Sequence, residues 1–187
     1  MIPQSNTRHT YEEFLEITKD IQRVEFIEGQ IFYMSTPSVQ HQKILGEMFL
    51  ALKGYFKDGK CDVLFAPLDI ILENEEIKNK KSVQPDIMVI CDKSKYKENT
   101  YEGVPTMIIE ITSPSNASQD TITKLNLYER FKVPEYWIVS PKNKSVTVYK
   151  YEDDIQSYGE NTIYTKDDVV KSETFKEFSI ALKKIFE

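Results

Sequence analysis

Apolar residues recur at helical spacing in one long segment of the chain. From about Val39 to Phe56 they fall on one face at each turn, and this period of about 3.6 residues predicts an amphipathic α-helix. A shorter helix is predicted at Tyr11–Ile17, because Thr10 and Glu13 have the spacing of a capping box. The apolar stripe of the long helix consists of Ile44, Leu45, Met48, Phe49, Leu52, Tyr55 and Phe56.

Short apolar runs bounded by turn residues predict β-strands elsewhere. Val24–Ile27 and Gln30–Met34 are predicted to form a hairpin with a tight turn at Glu28-Gly29. Glu73–Ser82 is predicted to be a charged connector. The further predicted strands are Val63–Ala66, Leu68–Leu72, Ile87–Cys91, Met107–Thr112, Glu135–Ser140 and Ser145–Tyr151.

The centre of the chain has a strand–helix–strand order. A helix predicted at Ser118–Phe131 separates the strands at 107–112 and 135–140, and a right-handed crossover would make these two strands parallel. The remainder is predicted to form a small hairpin and a terminal helix near Ile180–Phe186. The pattern indicates an α/β protein with a mixed β-sheet flanked by helices, and 187 residues suit a single domain spanning 1–187.

Composition favours an ordinary globular protein. No apolar run approaches the ~18 residues of a membrane-spanning helix, and the N-terminus lacks the basic and apolar regions of a secretory signal. We therefore expect a soluble, cytoplasmic protein without a membrane partner. Cys61 and Cys91 match no zinc or redox motif, and they are predicted to be two buried, reduced thiols.

Charge is distributed unevenly along the chain. The net charge of −6 argues against broad, non-specific binding of nucleic acid. Residues 78–97 nevertheless carry six Lys against two Asp, and Asp86 lies inside this stretch. The stretch could provide a positive field for a phosphate substrate, or it could consist of solvated loops that contain lysine.

Two carboxylates lie on apolar strands in the centre of the chain. Asp86 begins one run, where a buried carboxylate needs a partner or a cation. Glu110 points to the face opposite Ile109 and Ile111. If the strands pair, Asp86 and Glu110 converge, and a divalent cation such as Mg²⁺ would relieve their repulsion. The alternative for each residue alone is a solvated group at a strand end.

Lys124 lies in the middle of a largely apolar helical stripe that includes Asp120, Leu127, Tyr128 and Phe131. A lysine directed toward the sheet requires negative charge nearby. The alternative is an exposed Asp120–Lys124 pair. His41 faces the core from the long helix and can be structural, and Glu25 can belong to the surface or to a site.

Four motifs follow one another in the centre of the chain: Gln84-Pro85-Asp86-Ile87, Glu110-Ile111-Thr112-Ser113-Pro114-Ser115, Asp120-x-x-x-Lys124-x-x-x-Tyr128 and Val133-Pro134-Glu135-Tyr136-Trp137. In this order they resemble the motifs of the Uma-two family of restriction-endonuclease-like proteins, which belongs to the PD-(D/E)XK nuclease superfamily. The upstream segments Glu25-Phe26-Ile27-Glu28-Gly29 and Met34-Ser35, together with His41, agree with it, and the resemblance covers about residues 22–150.

The resemblance implies a restriction-endonuclease-like fold and a metal-dependent endonuclease that hydrolyses DNA with Mg²⁺ or Mn²⁺. It implies Asp86, Glu110 and the backbone carbonyl of Ile111 as metal ligands, and Asp86, Glu110 and Lys124 as catalytic residues. The superfamily lysine two residues after the glutamate is Thr112 here, so Lys124 would replace it from the following helix. Glu25, His41, Asp120 and Tyr128 are candidates to line this site.

Two other functions are compatible with the sequence. The nuclease fold could serve as a non-catalytic binding or assembly module, for which a homodimer is one expected form, and the acidic net charge favours this alternative. The same site could also hydrolyse a smaller phosphate ester, which would not need a large basic groove.

Overall fold

The computed structural model describes residues 7–73, 80–113 and 117–187, with the backbone alone described for 117–120. The capping box predicted at Thr10 is confirmed, because its side chain accepts a hydrogen bond from Glu13 N and the Glu13 carboxylate accepts one from Thr10 N. The helices of the described residues are α1 (Tyr11–Thr18), α2 (Val39–Tyr55), α3 (Ala117–Arg130) and α4 (Leu182–Ile185).

Most strands are short, and the predicted strands lie within two residues of the observed ones. The turn between the first two has positive φ at both Glu28 and Gly29, as a tight hairpin requires. The strands are β1 (Val24–Ile27), β2 (Gln30–Tyr33), β3 (Asp62–Phe65), β4 (Asp69–Leu72), β5 (Lys81–Val83), β6 (Ile87–Ile90), β7 (Thr100–Tyr101), β8 (Met107–Ile111), β9 (Glu135–Ser140), β10 (Ser145–Glu152), β11 (Ser157–Tyr158), β12 (Thr162–Thr165), β13 (Val169–Lys171) and β14 (Ser179–Ala181).

The largest sheet has the order β11-β10-β9-β8-β6-β3, with β12 also paired to β10. Strands β8 and β9 are parallel, which confirms the predicted crossover through α3, and the other pairs in this sheet are antiparallel. The prediction of a mixed sheet is therefore correct.

A second sheet has the order β2-β1-β5-β4-β7. Its central strand β5 contradicts part of the predicted connector at 73–82, because Lys81 and Ser82 are buried in this strand. Because Lys81 and Ser82 are polar, the segment has no apolar run that would predict a strand. It is a strand only through the pairing of β5 with β1 and β4.

The large sheet separates two apolar cores. On one face, α2 packs against alternate residues of β6 and β8, including Ile87, Val89 and Ile109. On the other face, Met88 and Ile108 pack with α3 and with the second sheet. The buried residues that α3 contributes to this second core are Leu127, Tyr128 and Phe131.

The C-terminal segment differs from the prediction in detail. Strands β13 and β14 pair with each other, and Ile180 belongs to β14, so the terminal helix begins at Leu182. Leu182, Ile185 and Phe186 nevertheless lie in the core beneath α2, because the apolar residues of the segment are buried there.

The prediction of two reduced thiols is wrong, because Cys61 and Cys91 form a disulfide. Strand β3 pairs with β6 so that Asp62 faces Ile90, and extending this register by one residue sets the two cysteines opposite each other. Their Cα atoms are 4.2 Å apart. A spacing of thirty residues between two cysteines matches no motif that predicts a disulfide. The proximity of Cys61 and Cys91 follows from the pairing of β3 with β6 alone.

Candidate active site

The pairing of β6 with β8 brings the two predicted carboxylates together. Ile87 faces Ile109 in this antiparallel pair, so the register extended by one residue sets Asp86 opposite Glu110. Residues directly opposite in such a pair project their side chains to the same face of the sheet. The convergence expected from the sequence therefore follows from the observed register.

Asp86 lies immediately before the first residue of β6 and is held there by groups from two elements. Its Oδ2 accepts a hydrogen bond of 2.8 Å from Ile111 N and lies 3.1 Å from Nε2 of His41. The amide of Ile111 thus points toward Asp86, and the N–H and C=O of one strand residue point to the same neighbouring strand. The carbonyl of Ile111 accordingly faces the side of β8 on which Asp86 lies.

His41 reaches Asp86 from the first turn of α2. The hydroxyl of Ser38 caps this helix by accepting a hydrogen bond from His41 N, which places the imidazole at the helix start. His41 is buried, and its Nδ1 has no hydrogen-bond partner within the described residues. His41 therefore belongs to the site, in addition to its place in the core.

Glu110 is buried and accepts two short hydrogen bonds at one oxygen. Lys124 Nζ donates to its Oε1 at 2.8 Å, and the Tyr128 hydroxyl donates to the same oxygen at 2.7 Å. Burial, with the nearby charges of Asp86 and Glu25, raises the pKa of Glu110 to about 8 even though Lys124 lowers it. Burial and the Glu110 charge raise the pKa of Tyr128, which keeps this hydroxyl a donor.

Lys124 points into the protein, as the interpretation of a lysine directed toward the sheet required. Its side chain is only 5% exposed, and its Nζ contacts Glu110 and also Glu25 Oε1, at 3.0 Å. The opposite face of α3 includes Ile122, which is 59% exposed. The side chain of Asp120 lies outside the described residues, so its predicted place in the site remains a prediction.

The sequence interpretation left two residues of the site without a role. Gln84 is buried, and its side-chain amide donates to Gln22 O at 2.7 Å and to Asp69 Oδ1 at 2.9 Å. These bonds attach the segment between β5 and β6, two residues before Asp86, to the second sheet. Its position in the Gln84-Pro85-Asp86 motif could have identified Gln84, whereas Asp69 carried no motif.

The positive stretch at 78–97 does not form a cluster of lysines around Asp86 in the part of the chain that the structure describes. Lys81 is buried 3.6 Å from Glu28, and Lys93 pairs with Asp62 at 2.9 Å. Lys80 pairs with Glu73 at 3.6 Å. These three lysines are paired locally, which speaks against a positive field around Asp86. Lys81 does not fit the alternative of a solvated loop either, because it is buried in β5.

The charges at the site fit a cation. Lys124 pairs with the carboxylates of Glu110 and Glu25, the Asp86 carboxylate lies near Glu110, and Glu25 Oε2 is buried without a hydrogen-bond partner among the described residues. The raised pKa of Glu110 reflects this excess of negative charge as well as burial. The described residues contain no group of three or more His, Cys, Asp or Glu side chains arranged to hold a metal ion. A cation would therefore need backbone oxygen or water among its ligands.

Comparisons with known proteins agree with this fold. A putative nuclease belonging to DUF820 from Anabaena variabilis has a crystal structure that superposes with a TM-score of 0.76 at 21% identity, covering 95% of this chain and 97% of that one. The α/β fold with mixed sheets flanked by helices is thus shared with a known protein. No helix in the described ranges has both the length and the apolar character needed to cross a bilayer.

Two relatives from Synechocystis are similar in sequence. The uncharacterized protein slr1290 is 26% identical over 145 residues, which is 76% of this chain and 74% of the relative. The uncharacterized protein sll1609 is 25% identical over 121 residues, or 63% of this chain and 66% of the relative. The sequence model of the family described as "Uma2: Putative restriction endonuclease" matches residues 11–183. Because this match spans nearly the whole chain, the protein belongs to the Uma2 family, which the motifs had indicated.

Proposed function

We propose that this protein is a divalent-metal-dependent endonuclease that hydrolyses phosphodiester bonds in DNA. The main support is the arrangement of Asp86 and Glu110 on paired strands, with the buried ammonium group of Lys124 at 2.8 Å from Glu110. The description of the family, and the fold shared with a protein described as a putative nuclease, make phosphodiester hydrolysis the reaction class to test first.

Asp86, Glu110 and the carbonyl of Ile111 would hold the cation. Mg²⁺ takes one or two carboxylates and keeps water and phosphate oxygens in its other positions, which suits this small ligand set. When bound, such a cation lowers the pKa of coordinated water and neutralises charge on the phosphate. Mn²⁺ would serve in the same position.

The protein's own side chains orient the reacting groups. Tyr128 and Lys124 both donate to Oε1 of Glu110, which fixes the carboxylate and directs its second oxygen away from them. His41 and the amide of Ile111 fix Asp86 in the same way through Oδ2. Lys124 would stabilise negative charge that develops on the phosphate, or orient the attacking water.

A plasmid cleavage assay tests the proposal. Purified protein with Mg²⁺ or Mn²⁺ should nick or cut DNA, and a chelator should stop cleavage. Asp86→Asn, Glu110→Gln and Lys124→Met should each lower the rate on the order of 100-fold or more, since each removes charge stabilisation of the transition state.

Asp62→Asn is the matched control, because Asp62 begins the neighbouring strand β3 and pairs with Lys93 away from the site. This variant should cleave like the wild type. Inertness of the wild type on single-stranded, double-stranded and branched DNA with both cations would contradict the proposal, as would cleavage that persists in Asp86→Asn. Wild-type inertness together with absent Mn²⁺ binding would instead support the non-catalytic module.

The cytoplasmic location and the homodimer remain predictions. Cell fractionation would check the location, and light scattering coupled to size-exclusion chromatography would check the oligomeric state.

A further inference from the structure

Glu25 reaches the site from outside the sheet that carries Asp86 and Glu110. It lies on β1 of the second sheet, its side chain is 0% exposed, and its Oε1 lies 3.0 Å from Lys124 Nζ. The same oxygen accepts a hydrogen bond of 2.9 Å from the backbone amide of Gln84, two residues before Asp86. One carboxylate oxygen thus fixes both the lysine and the segment that leads into Asp86.

Folding stability alone does not explain a glutamate at this position. A buried acceptor without a donor destabilises the folded state, and Oε2 of Glu25 is buried with no partner in the described ranges. Stability would favour an apolar residue or a fully paired carboxylate here. Groups retained at a cost to stability cluster at functional sites.

Lys124 lies between two carboxylates, and only one of them would also bind the cation. Glu110 faces Asp86 across the strand pair and would contribute its charge to the cation. Glu25 belongs to another sheet, and its Oε1 is already committed to Gln84 and Lys124. A lysine held by Glu110 alone would be displaced by the incoming positive charge, whereas a lysine also held by Glu25 keeps a counter-charge.

We propose that Glu25 is a positioning residue that holds Lys124 in the active site while Glu110 binds the cation. The role in catalysis rests on the proposed nuclease function, whereas the anchoring of the lysine can be measured without any cleavage. Glu25 itself would contact neither the cation nor the DNA.

The first experiment follows the Lys124 ammonium group directly by ¹H–¹⁵N NMR of the lysine side chains. An ammonium group held by two buried carboxylates should exchange slowly with water and give a resolved resonance, assigned by its loss in Lys124→Arg. In the wild type the resonance should persist, with a shift, when Mg²⁺ is added. Its disappearance on adding Mg²⁺ would overturn the proposal without the need for a Glu25 variant.

Glu25→Gln tests the anchor, because glutamine keeps the shape and an acceptor for Gln84 N but removes the charge. The Lys124 resonance should broaden or vanish in this variant once Mg²⁺ is present. Glu135→Gln is the matched control, since Glu135 is also 0% exposed and accepts backbone hydrogen bonds, but binds the C-terminal segment instead. It should leave the resonance unchanged, and an unchanged resonance in Glu25→Gln would overturn the proposal.

Cleavage kinetics provide the second measurement. Glu25→Gln should lower kcat on the order of 10- to 100-fold with little change in KM, because a misplaced catalytic group costs about this much. Glu25→Asp keeps the charge but shortens the side chain, so its kcat should stay below that of the wild type. A wild-type kcat in Glu25→Asp would show that the charge alone matters and would overturn the positioning role. Inert wild-type protein with an anchored Lys124 would contradict the nuclease proposal and support the anchoring.

Discussion

At the scale of single residues, the site is governed by the desolvation of Glu110. Burial, together with the charges of Asp86 and Glu25, raises its pKa to about 8, although Lys124 acts in the opposite direction. Near neutral pH the metal-free protein thus carries a glutamate that favours the protonated form. Strongly perturbed pKa values cluster at functional sites.

The raised pKa of Glu110 predicts how the stability of the metal-free protein depends on pH. The folded protein binds a proton on Glu110 up to about pH 8, whereas the unfolded chain releases it near the ordinary value of 4.5. The free energy of unfolding should therefore be highest below about pH 4.5 as far as this group is concerned, and should fall as the pH rises toward 8. The maximum slope is about 1.4 kcal/mol per pH unit.

Denaturant unfolding at several pH values, with chelator present, measures this dependence. Glu110→Gln is the reference, because it cannot titrate at this position. The wild type should lose stability relative to Glu110→Gln between pH 5 and pH 8. Parallel curves for the two proteins would show that Glu110 has an ordinary pKa.

At the scale of elements, one buried glutamate attaches the C-terminal segment to the large sheet. Glu135 begins β9, and its Oε1 accepts a hydrogen bond of 2.6 Å from Trp137 Nε1. Its Oε2 accepts from the Ser172 hydroxyl at 2.8 Å and from Thr174 N at 2.7 Å. The segment that follows β13 is thereby fixed against the sheet, which also brings Phe178 over Trp137 at 6.1 Å between ring centroids.

Glu135→Gln should destabilise this attachment. The amide replaces one acceptor oxygen by a donor that would face another donor, and an unsatisfied buried group costs about 1–3 kcal/mol. Chemical denaturation should show a loss of this size in the free energy of unfolding. Hydrogen exchange should locate the loss at β13 and β14 while the amides of β6 and β8 remain protected. A variant as stable as the wild type would contradict this account.

At the scale of the whole molecule, the site joins elements that are distant in sequence. Glu25 comes from the second sheet, His41 from α2, Asp86 and Glu110 from the large sheet, and Lys124 from α3. A cation held by Asp86, Glu110 and the Ile111 carbonyl would bind only the folded chain, because folding alone brings these groups together. Its binding should therefore stabilise the fold as a whole.

Thermal unfolding with increasing Mn²⁺ or Mg²⁺ tests this expectation. A ligand at about 100 times its Kd adds about 2.7 kcal/mol when it binds only the folded state, so Tm should rise with cation concentration. Asp86→Asn should abolish the rise, whereas Asp153→Asn, at an exposed turn, should preserve it. An equal rise in all three proteins would indicate non-specific ion binding.

Local pattern was sufficient to predict the elements near the site. The period of α2, the capping box of α1 and the apolar runs of β6 and β8 are local properties, and they appear at the expected positions. Strand β5 escaped prediction because Lys81 and Ser82 are polar, and their burial depends on Glu28 and Asp69. The family motifs pointed to Asp86, Glu110 and Lys124, but their spacing alone left an exposed Lys124 equally acceptable.

Sequence by itself determined the α/β class, the parallel crossover through α3 and the family of the chain, because these depend on periodicity and on motif order. Tertiary structure decided the register that sets Asp86 opposite Glu110, the burial of Glu25 against Lys124 and the Cys61–Cys91 bond. Each of these joins residues that are far apart along the chain. Their proximity depends on which strands pair and which helix covers them, and neither is encoded in any single segment.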